Sequence, residues 1–128
     1  MKKLIQTRMY VGPESEEPIN QRGNCFPTVI ACIMDKDSPE DVIQIQESYD
    51  LPDDEWVSIL YVWLFEQGYD WENIRGHLYD DRFYLVTGRT IRGTVHVCIY
   101  QNGSLFHDPH PSGAGLTDIL SYCTIEPI

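Results

Sequence analysis

Apolar residues recur along this chain first at helical and then at strand spacing. Residues 11 to 24 carry Gly12, Pro13, Pro18, Gly23 and the run Glu14-Ser15-Glu16-Glu17 without apolar periodicity, and read as a loop. Phe26, Val29, Ile30 and Ile33 then fall at i, i+3, i+4 and i+7, the buried face of a helix whose first turn holds Pro27, where a missing N–H costs nothing. Ser38-Pro39-Glu40-Asp41 predicts a second helix start, an N-cap with proline and a capping-box acid, with Val42, Ile45 and Tyr49 facing inward. A third helix is predicted from Pro52-Asp53-Asp54-Glu55 to Gly68, its acids on the positive end and Trp56, Ile59, Leu60, Trp63 and Leu64 in one core stripe. Beyond Gly68 the period changes. Phe83 to Thr87, Val95 to Tyr100, Leu105 to Phe106 and Cys123 to Ile125 read as short strands.

Helices first and strands second predict an α+β domain, with N-terminal helices packed on a C-terminal antiparallel sheet. At 128 residues the chain is expected to form a single domain spanning 1–128, large enough to bury a core without covalent staples. The net charge of −11 argues against nucleic acid, whose backbone is bound by releasing counterions to Lys and Arg. The charge is read mainly as a source of solubility, although it also suits a basic peptide.

Met1-Lys2-Lys3-Leu4-Ile5-Gln6-Thr7-Arg8 begins as an export signal does, but its apolar segment ends after two residues. No run is long enough to span a bilayer, so no membrane partner and a cytoplasmic location are expected, where thiols stay reduced. The cysteines, Cys25, Cys32, Cys98 and Cys123, form no close C-x-x-C pair, which removes zinc-knuckle and thioredoxin readings. Cys25 and Cys32 lie about 10 Å apart along a helix at ~1.5 Å per residue, too far for a disulfide, which spans at most about 7 Å. Cys32 and Cys123 read as buried hydrophobes.

Cys25 differs, because Gln21-Arg22-Gly23-Asn24-Cys25-Phe26 puts it at a helix start. Unpaired N–H groups and the macrodipole there favour a thiolate. Downstream, Val95-His96-Val97 and His107-Asp108-Pro109-His110 offer a base and a carboxylate. Whether His96 and Asp108 meet depends on the hairpin at Asn102-Gly103. A two-residue loop pairs Gln101 with Ser104 and turns Asp108 to the face opposite His96. A three-residue loop pairs Tyr100 with Ser104, sets His96 directly across from Asp108 and leaves Val95, Val97, Ile99 and Leu105 for the core. A bulge would also restore the pair.

Cys98 shares the sheet face of His96, so it either lines the site or packs the strand. A metal site would need three of His96, Cys98, His107, Asp108 and His110 to converge from a proline-rich turn, and no metal or other cofactor is expected. His77 is read as surface or loop, and Asp108-Pro109 also suits a turn. Gly88-Arg89-Thr90-Ile91-Arg92-Gly93 is read as an exposed connection, with a substrate-carboxylate clamp at Arg92 as the sharper alternative.

In this order Cys25, His96 and Asp108 resemble the papain-like cysteine peptidases, most closely the compact type that cleaves double-glycine leader peptides, and small phage and bacterial proteins with similar motifs. The matching pieces are Gly23-Asn24-Cys25-Phe26 opening a helix, the strand Val95-His96-Val97-Cys98-Ile99, and His107-Asp108-Pro109-His110-Pro111 after a turn. The resemblance implies a papain-like fold and a cysteine-dependent peptide or amide hydrolase in the cytoplasm, or in the host cytoplasm if the protein is phage-encoded. It casts Cys25 as nucleophile, His96 as base and acid, Asp108 as its orienting carboxylate, and a glutamine before the cysteine as oxyanion donor. Gln21 takes that part, with Asn20 as a substitute, although Gln21 precedes Cys25 by four residues where the family usually has about six. Asn24-Cys25-Phe26 also departs from the Asp-Cys-Gly of the leader peptidases. The expected partner is a peptide or protein substrate. The rival expectation is a papain-like binding or inhibitory module, possible on the same fold because fold does not dictate function.

Overall fold

The computed structural model describes residues 1–9, 18–76 and 81–128; His77 lies outside the described residues. The domain is α+β; the described residues form two α-helices, α1 (Cys25–Ile33) and α2 (Asp53–Glu66), and one five-stranded antiparallel sheet. Its strands are β1 (Tyr69–Ile74), β2 (Tyr84–Arg89), β3 (Val95–Gln101), β4 (Ser104–His107) and β5 (Asp118–Pro127), in the order β1-β5-β2-β3-β4. Among the described residues no helix is long and apolar enough to cross a membrane.

The apolar period of α1 buries Phe26, Val29 and Ile30 against Leu85, Val97, Ile99, Cys123 and Ile125 of the sheet and Leu60 and Leu64 of α2. On the other sheet face Tyr84, Val86 and Tyr122 form a smaller cluster with Tyr100 and Leu116. The sheet is therefore covered on both sides near β2 and β3, which is why successive residues His96, Val97, Cys98 and Ile99 are all buried.

Three expectations need correction. The segment from Ser38 is not one helix but two 3-10 turns, Pro39–Asp41 and Ile45–Ser48. The capping box forms, with Ser38 N–H donating to the Asp41 carboxylate at 3.1 Å, yet Val42 is extended at φ −119° and ψ 165° and ends the turn. Val42 and Ile45 are buried as expected, whereas Tyr49 is exposed and stacks edge-on against Trp56. In α2 only Leu60 and Leu64 are buried; Ile59 is 40 % exposed, because the helix rests on the core along a narrow line. Val95 and Leu105 are likewise exposed rather than core.

Strand β1 is an addition. Half-buried Tyr69 and Trp71 alternate with exposed Asp70 and Glu72, a period-two pattern masked by its acids, and the strand pairs along its whole length with β5 at the sheet edge.

The chain start is stitched between the helical and sheet layers. Buried Asn24 accepts from the Thr7 and Arg8 N–H groups, both at 3.1 Å, and donates to Thr7 Oγ1 at 2.8 Å. Gln6 N–H donates to Pro109 C=O at 2.9 Å, and the His107 ring bonds Leu4 C=O. Arg8 forks onto Glu40 at 2.8 Å and reaches Glu47 at 2.7 Å. The first residues thus bridge the start of α1 and the loop after β4.

Candidate active site

The hairpin register decides the site. Asn102 and Gly103 have φ of 53° and 78°, the two-residue type I′ turn, and Gln101 pairs with Ser104. That register alone would turn Asp108 away from His96. The pairing shifts between Ile99 and Tyr100, so that Tyr100 faces Leu105 but Ile99 faces His107. One extra residue on β4 reverses the parity of everything after it. Asp108 therefore returns to the face of His96 and Cys98.

His96 Nε2 and Asp108 Oδ1 are 2.6 Å apart, with the two residues 4 % and 5 % exposed. The carboxylate is held on both oxygens: Oδ1 also accepts from His110 N–H at 2.9 Å, and Oδ2 accepts from Gly115 N–H at 2.8 Å. Burial by itself would favour the neutral acid, but the His96 bond and the two backbone N–H groups outweigh it and hold Asp108 well below the usual carboxylate range. Burial likewise disfavours a charged His96, and the Asp108 hydrogen bond together with the nearby Cys25 and Cys98 sulfurs overcomes it and raises the imidazole above its ordinary value. The pair is a buried imidazolium–carboxylate.

Cys25 opens α1, with its sulfur near enough to the His96 ring to influence its charge. With Nε2 committed to Asp108, Nδ1 is the ring nitrogen left for the sulfur. The thiol and ring line one open cleft of about 800 Å³ with Gln6, Gly23, Gln46, Tyr49, Arg92 and His110, among others. Cys25 is also the only half-exposed cysteine; Cys32, Cys98 and Cys123 are buried and none of the four is disulfide-bonded. Burial pushes all three buried thiols up, Cys123 to about 11.

Gln21 does not join this group. It ends the exposed 3-10 turn Ile19–Gln21 and lines a separate small pocket with Thr7, Arg8 and Met9; Asn20 is exposed on the same turn. The cleft instead receives Gln6, buried to 8 % exposure, whose Nε2 makes a long 3.4 Å bond to Arg8 C=O and whose Oε1 has no partner among the described residues. The same Nε2 is 3.7 Å from where a Cβ on Gly23 would lie. Gln6 precedes Cys25 by 19 residues. No local spacing points to it, because Asn24 delivers it by clamping the chain start.

Of the expected metal-ligand candidates, His96, Cys98 and Asp108 converge, their donor atoms within 4.8 Å of one another. The 2.6 Å contact of nitrogen to oxygen is a direct hydrogen bond. Two ligands sharing a tetrahedral zinc at ~2.0–2.1 Å would stand about 3.3 Å apart. His107 turns away to Leu4 C=O, and His110 Nδ1 engages Ser112. Cys98 is fully buried in the strand with its sulfur within 4.8 Å of a His96 ring nitrogen, so it packs behind the pair.

No known family, curated protein or solved structure matches the chain.

Proposed function

We propose that this protein is a papain-like cysteine hydrolase that cleaves a peptide or related amide through a thioester on Cys25. The observation that carries the reading is a buried His96 held by Asp108 at 2.6 Å that lines one open cleft with Cys25, the half-exposed thiol at the start of α1. A histidine between a thiol and a fixed carboxylate can hold the proton lost by the sulfur and return it to a leaving amine.

In this mechanism the Cys25 thiolate attacks the carbonyl carbon, and the carbonyl electron pair moves onto oxygen. The resulting oxyanion is met by the Cys25 backbone N–H, which has no helical acceptor at the start of α1, and by the Gln6 carboxamide. His96 gives its proton to the amine nitrogen, the C–N bond breaks and the thioester remains. His96 then takes a proton from water as the water oxygen attacks the thioester carbon; the C–S bond breaks, the carboxylic acid leaves, and the Cys25 thiolate is restored beside protonated His96. Asp108 holds the ring orientation throughout and stabilises the imidazolium each time it forms.

The test is alkylation by iodoacetamide across pH together with turnover of a randomised peptide pool. A single fast-reacting thiol, lost in Cys25→Ala along with a rate decrease of about 10⁴-fold, is expected. Amidase turnover that survives Cys25→Ala would sink the proposal. Uniformly sluggish thiols with no turnover would favour the binding module.

A further inference from the structure

The cleft has an electrostatic asymmetry that the hydrolytic machinery does not use. On one wall Arg22 is neutralised by Asp50 at 2.7 Å, and both line the cleft. On the wall that carries His96, Arg92 donates to the Ser112 hydroxyl at 3.2 Å, and among the described residues no carboxylate shares its bonds. In a chain with 20 acids and 9 Lys and Arg, a cation with no acid beside it among the described residues is unusual at a cleft rim. Its position is braced: Gly93 N–H donates to Thr90 C=O at 2.9 Å, Thr90 N–H donates to Thr94 C=O at 2.9 Å, and the two threonine hydroxyls meet at 2.9 Å.

His110 stands beside it. Its Nδ1 accepts from Ser112 N–H at 3.0 Å, so the neutral ring carries its proton on Nε2, for which no partner is found among the described residues. Ser112 Oγ lies 2.8 Å from His110 Nδ1 and also takes the Arg92 bond, tying the two side chains together. Burial and the Arg92 charge both hold His110 below its ordinary value, which keeps the ring neutral. The wall therefore presents a guanidinium and an N–H donor tied together through Ser112, with no anion bonded to either side-chain donor among the described residues.

Resting on the hydrolase reading above, we propose that Arg92, assisted by His110, anchors a substrate carboxylate on the leaving-group side of the scissile amide. The side follows from chemistry: the leaving amine must approach His96, and Arg92 and His110 sit on the wall that carries His96. Arg92 stands in the turn that leads into β3 and lines the same cleft as His96, which places the anchor along the leaving segment close to the scissile bond. The preferred substrate is thus a peptide or amide whose amine component bears an acidic side chain or a free terminal carboxylate.

The test uses acetylated pools Xaa-Xaa-Ala-Glu with amidated C-termini and matched pools ending in Gln. Wild type is expected to cleave the Glu pool about tenfold faster below saturation, on the scale of one charge-assisted hydrogen bond. Arg92→Gln should raise KM for the Glu pool about tenfold and erase the preference, while Arg92→Lys should keep most of it. Equal cleavage of the two pools by wild type overturns the anchor and leaves the hydrolase standing. If no pool is cleaved, binding to Cys25→Ala followed by NMR decides: tighter binding of the Glu pool that Arg92→Gln removes supports the anchor while the hydrolase falls, and equal or absent binding overturns both.

Discussion

Replacing Asp108 by asparagine keeps the side-chain shape and removes the charge at the centre of a network of three hydrogen bonds. An amide has one oxygen, so it cannot accept at once from His96 and His110 on one side and from Gly115 on the other; one N–H must face another. Breaking a buried ion pair costs about 3–5 kcal/mol, and the oxygen that asparagine retains offsets part of this, leaving about 2–3 kcal/mol at pH 6. The loss should depend on pH in a definite direction. His96 has a folded value raised above its unfolded one, so its stabilisation is full below about pH 6.5 and is lost as pH rises toward the folded value. Asp108 is depressed, so its contribution is present above about pH 3.9 and is lost as pH falls toward its folded value. The difference between parent and Asp108→Asn should therefore be largest between about pH 4 and 6.5 and shrink above that by up to about 1.4 kcal/mol per pH unit.

Urea denaturation from pH 5 to 9 measures this, with both proteins carrying Cys25→Ala so that the sulfur does not hold the ring charged. In the Cys25 protein the same asparagine should lower kcat by about 10²–10⁴-fold, since it favours the wrong tautomer of His96. A stability difference that stays constant from pH 5 to 9 would refute the ionic pair and with it the argument that Asp108 keeps His96 protonated.

Gln6→Ala should lower kcat by about 10²-fold with little change in KM, as expected for a donor that meets only the oxyanion, whereas Gln21→Ala should leave turnover unchanged in the same assay. Gly88→Ala should destabilise the sheet by about 1–3 kcal/mol in thermal or urea unfolding, because a Cβ there would lie 2.1 Å from the Asp118 carbonyl oxygen where the β2–β5 register shifts.

Much of the framework was legible because it rests on local chemistry. The period of α1, the acidic first turn of α2, the Ser38 cap and the Asn102-Gly103 turn all follow from residues within a few positions of one another. Misreadings arose where burial was decided elsewhere. Ser38 started a turn that Val42 could not continue, and Ile59 had the spacing of a core residue but no layer above it. Trp71 alternated correctly in β1, yet the acids beside it are tolerated only because that strand lies at the sheet edge.

The site divides along the same line. Cys25 at a helix start, a histidine in a strand and an aspartate after a hairpin are properties of neighbouring residues, and the amino-acid order alone determined them. Whether His96 meets Asp108 depended on one extra residue in β4, a choice of parity that turn rules leave open and that packing on both sheet faces resolves. Gln6 was beyond any local rule. It reaches the cleft because Asn24 and Pro109, distant in sequence, hold the chain start between them, and contacts of that kind exist only after the layers have closed.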